Sequence, residues 1–198
     1  VPQLFVPNIL SFASEGKEFY FGAIRSPLQY WAPWRLEGGD GAVAATLGLS
    51  DVGKQVDDLL SPQRLLDILQ HFSLFTSNKR KQRIKMMCRF QQYEGANKIV
   101  ERVIAGKIKK GLIWHFQGSG KSLLMVFAAQ KLRKSTDLKS PTVIILVDRT
   151  DLDTQISSTF NAADVPNVVT TDSIKELQSL LEHDTRKIII SMIYKFRD

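Results

Sequence analysis

The sequence predicts an α/β fold, a parallel sheet covered by helices on both faces and organised around a phosphate-binding loop, with a smaller α+β segment ahead of it. Three observations carry this. The hexapeptide QGSGKS at 117–122 sits between an apolar run, GLIWHF, and a stretch, LLMVFAAQKL, whose apolar residues recur at helical spacing. Strand, glycine loop and helix is the context a phosphate loop requires. From Arg89 onward, continuous apolar runs such as TVIILV and KIIISMI alternate with helical patterns, as in strands buried on both faces. The first 75 residues lack that alternation and carry no comparable motif.

The elements follow in order. Residues 4–13 and 19–25 are rich in Phe, Ile, Val and Tyr and flank the turn chemistry SEGKE, which predicts a β-hairpin. Between Ser26 and Gly53, Pro27, Trp31, Pro33, Trp34 and the loop GGDG predict irregular chain anchored by two tryptophans. Such indoles either fill a core or stack on bases. Ser61-Pro62 supplies an N-cap and a first-turn proline, and Leu65, Leu66, Leu69 and Phe72 give an amphipathic helix over 62–73. Residues 76–85 are polar, basic and unpatterned, as in a linker. Beyond Arg89 the pattern predicts a helix at 90–105, a strand at 111–116, a helix at 121–134 and a buried strand at 142–147. A helix near 151–159 and a strand at 168–171 follow. Ser173 with Glu176 forms a capping box for the next helix, and 187–193 forms a last strand. The domain reading is 1–52, then a helical and basic linker at 53–88, then the nucleotide-binding domain at 89–198.

Composition narrows the class. At 43% hydrophobic and 24% charged residues the chain has an ordinary globular make-up. No run approaches the ~20 apolar residues of a membrane span, so a cytoplasmic protein is expected. One cysteine, Cys88, excludes an internal disulfide, and three scattered histidines draw no zinc-type cluster. The net charge of +7 is unevenly placed: KRKQRIKMMCR at 79–89 holds six basic side chains and no acid, and Lys107, Lys109 and Lys110 follow. A polyanionic partner and a solvated basic linker both fit this run, and salt-dependent binding separates them.

The chemistry concentrates in the glycine loop. Glycines permit the tight turn that aims successive N–H groups and the helix N-terminus at phosphate oxygens. Gln117, Gly118, Ser119, Gly120 and Leu123 would line that cradle, Lys121 would reach the β- and γ-phosphates of ATP, and the Ser122 hydroxyl would ligate Mg²⁺. The full pattern, GxxxxGK(S/T), wants a glycine where this chain has His115.

Three strings, RFQQYEGANKIVERV, LIWHFQGSGKSLLMVFAAQKL and VDRTDLDTQI, resemble the motor region of the restriction subunit of type I restriction-modification enzymes. His115 is usual in that family's loop. The likeness is good over about 89–198 and loose over 1–75. It implies a superfamily 2 translocase with RecA-like domains that hydrolyse ATP to pull duplex DNA, joined to a nuclease domain and assembled with modification (methyltransferase) and specificity subunits. By it, Gln91 matches the glutamine that reads the adenine edge, with Gln92 the neighbouring alternative, since an amide can donate and accept there together. Asp148, Arg149 and Thr150 match a motif that touches the DNA backbone. Equally, Asp148 and Asp151 could cap a helix while Arg149 pairs locally. A Walker B reading of VIILVD is weakened by Arg149 standing where a glutamate is wanted. No DE-x-H box follows Ser122, and Glu15-Gly16-Lys17 lacks a preceding aspartate for a nuclease site. The resemblance thus implies an interior piece: the end of a nuclease domain and a first RecA-like motor domain up to, but not including, Walker B. A P-loop ATPase or kinase that does not act on nucleic acid is the alternative, and a degenerate interaction module is a third reading.

Overall fold

The computed structural model describes residues 9–36, 49–77, 82–148, 150–163 and 165–196. Hairpin residues 4–8, the GGDG loop, the basic residues 79–81 and Arg149 lie outside them. The chain divides into two compact units, Val1–Glu94 and Gly95–Asp198.

In the first unit, β1 (Leu10–Ser14) and β2 (Phe19–Ala23) form the expected hairpin, paired antiparallel from Leu10↔Ala23 to Ser14↔Phe19, and the short β3 (Ala32–Pro33) adds to β2. Gly16 makes the turn at φ +91°, a left-handed backbone that suits glycine, and its N–H donates to Ser14 Oγ at 3.1 Å. Phe19, Phe21 and Ala23 are buried, and Phe21 meets Trp34 edge-on at 5.4 Å; Trp34 is wholly buried, so this indole is core. Helix α1 (Leu49–Leu60) buries Gln55 and Leu59, one turn apart on one face. Helix α2 (Pro62–His71) starts where Ser61-Pro62 predicts, although the Ser61 hydroxyl donates back to Asp58 O instead of capping. The stretch read as unpatterned linker holds an antiparallel pair, β4 (Ser73–Ser77) and β5 (Arg83–Met87), registered from Ser73↔Met87 to Ser77↔Arg83. Arg83 lies over the Phe75 ring at 4.6 Å, so part of the basic run is seated on the hairpin's own aromatic.

The second unit carries the alternating pattern. Helix α3 (Phe90–Ala105) crosses the unit boundary, and helix α4 (Lys121–Lys134), strand β6 (Val143–Val147), helix α5 (Thr150–Ala162), strand β7 (Val168–Thr170), helix α6 (Ile174–Leu181) and strand β8 (Ile188–Met192) follow. The sheet is parallel in the order β6-β8-β7, in register Val143↔Ile188 and Val168↔Ile188, with β8 buried along its whole length. Helical crossovers are what parallel neighbours require. Ser173 caps α6 by accepting from Glu176 N–H at 3.2 Å, while Glu176 Oε2 reaches back to Asp172 N–H at 2.9 Å. The result is mixed α/β with one all-parallel sheet.

Two expectations are corrected. Residues 111–116 form no strand and belong to no ladder, and Leu112 and Trp114 are 90% and 87% exposed. An apolar run becomes a strand only where a neighbour accepts its backbone hydrogen bonds, and among the described residues none does. Strand β6 is not buried on both faces: Ile145 and Val147 point inward while Ile144 and Leu146 are exposed. No helix among the described residues is long and apolar enough to cross a membrane.

Candidate nucleotide-binding site

The loop between His115 and α4 owes its shape to its glycines. Gly118 and Gly120 hold φ +82° and +86°, a region where a Cβ costs about 1–2 kcal/mol. Gly120 occupies the N-cap of α4 in this left-handed conformation, and no side chain caps the helix. The first intrahelical bond recorded at this end runs from Leu124 N–H to Gly120 O at 3.1 Å. The amides of Lys121, Ser122 and Leu123 thus belong to the helix's open first turn, where N–H groups and the helix dipole favour an anion. A Cβ on Gly118 would meet nothing within 4 Å, so the backbone faces open space there.

Lys121 heads the helix with its ammonium folded under the loop, donating to His115 O at 3.2 Å and Phe116 O at 3.1 Å. Two carbonyls thereby hold a cation beside the open amides of the same turn. Ser119 is fully buried, with its hydroxyl unpartnered among the described residues. Ser122 and Leu123 are half-buried and Gln117 is exposed. Phosphate oxygens are what this donor set suits: a preformed cation, successive amides and two hydroxyls, with no carboxylate in the loop. Among the described residues no group of three or more His, Cys, Asp or Glu could hold a metal ion, so a cation here would rest on Ser122 and on what it binds.

Gly95 brings α3 against this region. A Cβ there would stand 2.7 Å from Leu124 Cδ1 and 3.6 Å from His115 Cε1, so α3 packs closely on the first turn of α4 because position 95 has no side chain. Lys131 then donates to Asn97 Oδ1 at 2.7 Å further along the two helices. Nothing in the helical periodicity marked Gly95; only a glycine inside a strong helical pattern hinted at a close approach.

The neighbouring glutamines differ. Gln92 is buried, and its Oε1 accepts from Arg89 N–H at 2.8 Å, the side-chain half of a capping box at the start of α3. Gln91 is half-buried, and no hydrogen bond engages its amide among the described residues. Thr150 starts α5 directly beyond the carboxyl end of β6, where Asp148 is exposed; Arg149 between them lies outside the described residues.

Residues 91–198 match the family model described as SWI2/SNF2 ATPase. The chain is 32% identical to the HindI type I restriction enzyme endonuclease subunit of Haemophilus influenzae over 82% of its own length and 16% of that protein. It is 39% and 38% identical to type I restriction enzyme endonuclease subunits of Staphylococcus saprophyticus and Staphylococcus aureus, over 43% of this chain and 9% of each. The chain therefore spans no more than about a sixth of the length of these curated relatives. With more than half of its residues inside the matched segment and these relatives of one kind, the chain belongs to the SWI2/SNF2 ATPase family, as a helicase-like segment of the type I restriction endonuclease-subunit type.

Proposed function

We propose that residues 89–198 form the ATP-grasping half of a RecA-like motor domain, and that residues 1–52 are the end of a nuclease domain. The parent polypeptide would be the ATP-dependent DNA translocase and endonuclease subunit of a type I restriction enzyme. It would cleave unmodified foreign duplex DNA together with modification and specificity subunits in the cytoplasm. The observation that carries the reading is the glycine loop, with its left-handed Gly118 and Gly120 and the Lys121 ammonium held ahead of α4.

On this reading the residues divide the work. The amides along Gly118–Leu123 bind phosphate oxygens, and Lys121 exchanges its two carbonyl partners for the β- and γ-phosphates, placing charge where it develops during phosphoryl transfer. Ser122 and the phosphates hold Mg²⁺, which supplies Lewis-acid stabilisation when bound. Gln91 reads the adenine edge, because its amide is free to donate and accept while the Gln92 oxygen is used by Arg89 N–H. Arg149 and Thr150 contact the DNA backbone. The exposed Lys107, Lys109 and Lys110 add a salt-sensitive attraction to it.

Equilibrium binding of ATP and GTP to Gln91→Ala and Gln92→Ala tests the assignment of the base reader. Loss of ATP preference in Gln91→Ala supports it. Loss confined to Gln92→Ala would move the role to Gln92.

A further inference from the structure

Ser119 lies inside the glycine loop with none of its surface exposed, and its hydroxyl has no hydrogen-bond partner among the described residues. A buried hydroxyl without a partner is costly, and a loop that binds and releases a ligand can use one in its other state. The acceptor it lacks is three residues back. Phe116 O accepts the Ser119 N–H at 3.4 Å and the Lys121 ammonium at 3.1 Å, one donor for each of the two lone pairs of a carbonyl oxygen. With both places taken, the hydroxyl is shut out. Yet its own residue already bonds this oxygen through the backbone, and a serine hydroxyl turning back to a carbonyl three residues before it is a common local arrangement. All of these groups belong to the unit Gly95–Asp198.

Phosphate binding empties one of the two places. On the functional reading above, Lys121 leaves the carbonyls of His115 and Phe116 for the β- and γ-phosphates. Its departure removes the cation that ties the start of the loop to the first residue of α4. The loop then holds an acceptor with a free lone pair and a buried donor with nothing to bond, both on the turn from Phe116 to Ser119.

We propose that Ser119 is a positioning residue that takes over from Lys121: as the ammonium moves onto phosphate, the Ser119 hydroxyl rotates about χ1 and donates to Phe116 O. The exchange keeps the carbonyl saturated, gives the buried hydroxyl its partner and holds the turn closed while the amides that follow face the ligand. The inference rests on the reading of Gly118–Leu123 as a phosphate site. It deepens that reading in one respect: part of the loop's affinity for phosphate comes from a hydrogen bond that the loop makes to itself.

The test uses the longer polypeptide proposed above, assembled with its partner subunits. Two quantities are read: calorimetric binding of ATP and of inorganic triphosphate, and amide hydrogen exchange across residues 115–124 without nucleotide. In Ser119→Ala both ligands should bind about fivefold more weakly, because the donor that refills Phe116 O is gone. The empty loop should exchange no faster than in the wild type, because no bond is lost there. A merely structural role would loosen the empty loop and weaken binding together. In a Lys121→Ala background the hydroxyl is already on Phe116 O, so adding Ser119→Ala should now speed exchange by about fivefold. If Ser119→Ala does not fold, Ser119→Cys, a weak donor of similar shape, decides on the same readouts, with a loss of affinity of about twofold expected. Unchanged affinity for both ligands, an empty loop that exchanges faster with Lys121 in place, or no acceleration without Lys121 overturns the proposal. If the wild-type assembly binds neither ligand, the phosphate reading fails by itself, and the exchange rates with and without Lys121 still decide the hand-over.

Discussion

Lys121 is the side chain on which most depends. Its ammonium is held by the carbonyls of His115 and Phe116, which prevents it from wandering while leaving it exposed at the mouth of the helix. Lys121→Ala is expected to lower hydrolysis by ~100-fold or more and to weaken ATP binding measured by calorimetry, because a preformed cation is lost where charge accumulates. Two groups, the half-buried Tyr93 and the buried Cys88, offer independent readouts of the first unit. Desolvation first, and the neighbouring Asp67 second, push the Tyr93 phenol up to about 12. Tyr20, bonded to Glu18, moves in the same direction. A phenol raised in the folded state contributes stability that is full below its unfolded value of 10.0 and is lost as pH rises through about 12. An alkaline absorbance titration of the four tyrosines should therefore contain a late component that Tyr93→Phe removes. Cys88 is fully buried, and desolvation drives its thiol strongly upward. It should resist alkylation in the native protein and react only on unfolding.

At the scale of elements, the contact of α3 with α4 turns on one missing side chain. Gly95→Ala would drive a Cβ into Leu124, which is itself buried and has little room to turn, so a loss of about 1–3 kcal/mol is expected in the urea midpoint. Adding Leu124→Ala should relieve the overlap at the cost of a cavity, giving a double mutant less damaged than the two single effects summed. Elements whose information is local were legible in sequence: α3 and α4 begin and end where their periodicity does, the capping box at Ser173 predicts α6, and the glycine spacing predicts the loop. Elements defined by distant partners were not. The run GLIWHF has the composition of a strand, yet a strand is a pairing, and nothing within those six residues encodes a partner. The pair β4 and β5 was hidden because Arg83 and Lys85 mask the alternation, and helix α1 because Gly53, Gln55 and four charged residues dilute its apolar face, leaving Leu59 to anchor it. For the candidate site, the residue types of the loop were legible. The buried Ser119 hydroxyl, the carbonyls that hold Lys121 and the cap made by Gln92 were not, since each depends on backbone geometry.

At the scale of the molecule, the parallel sheet leaves apolar surface uncovered. Ile144 and Leu146 of β6 are 41% and 47% exposed, and Leu112, Trp114 and Phe116 are exposed in the run before the loop. Surfaces of this kind favour association or further strand pairing. The 198-residue chain by itself should bind a hydrophobic dye, and acrylamide should quench Trp114 readily. In the longer polypeptide proposed above, Trp114 should be shielded, with quenching reduced severalfold. The central claim is that the loop ahead of α4 drives a DNA motor. DNA-dependent ATP hydrolysis by the full natural polypeptide, assembled with modification and specificity subunits and tested with and without unmodified duplex DNA, measures it directly. Hydrolysis that rises on adding DNA, and disappears in Lys121→Ala, is the predicted result. Hydrolysis indifferent to DNA, or unaffected by Lys121→Ala, would contradict it.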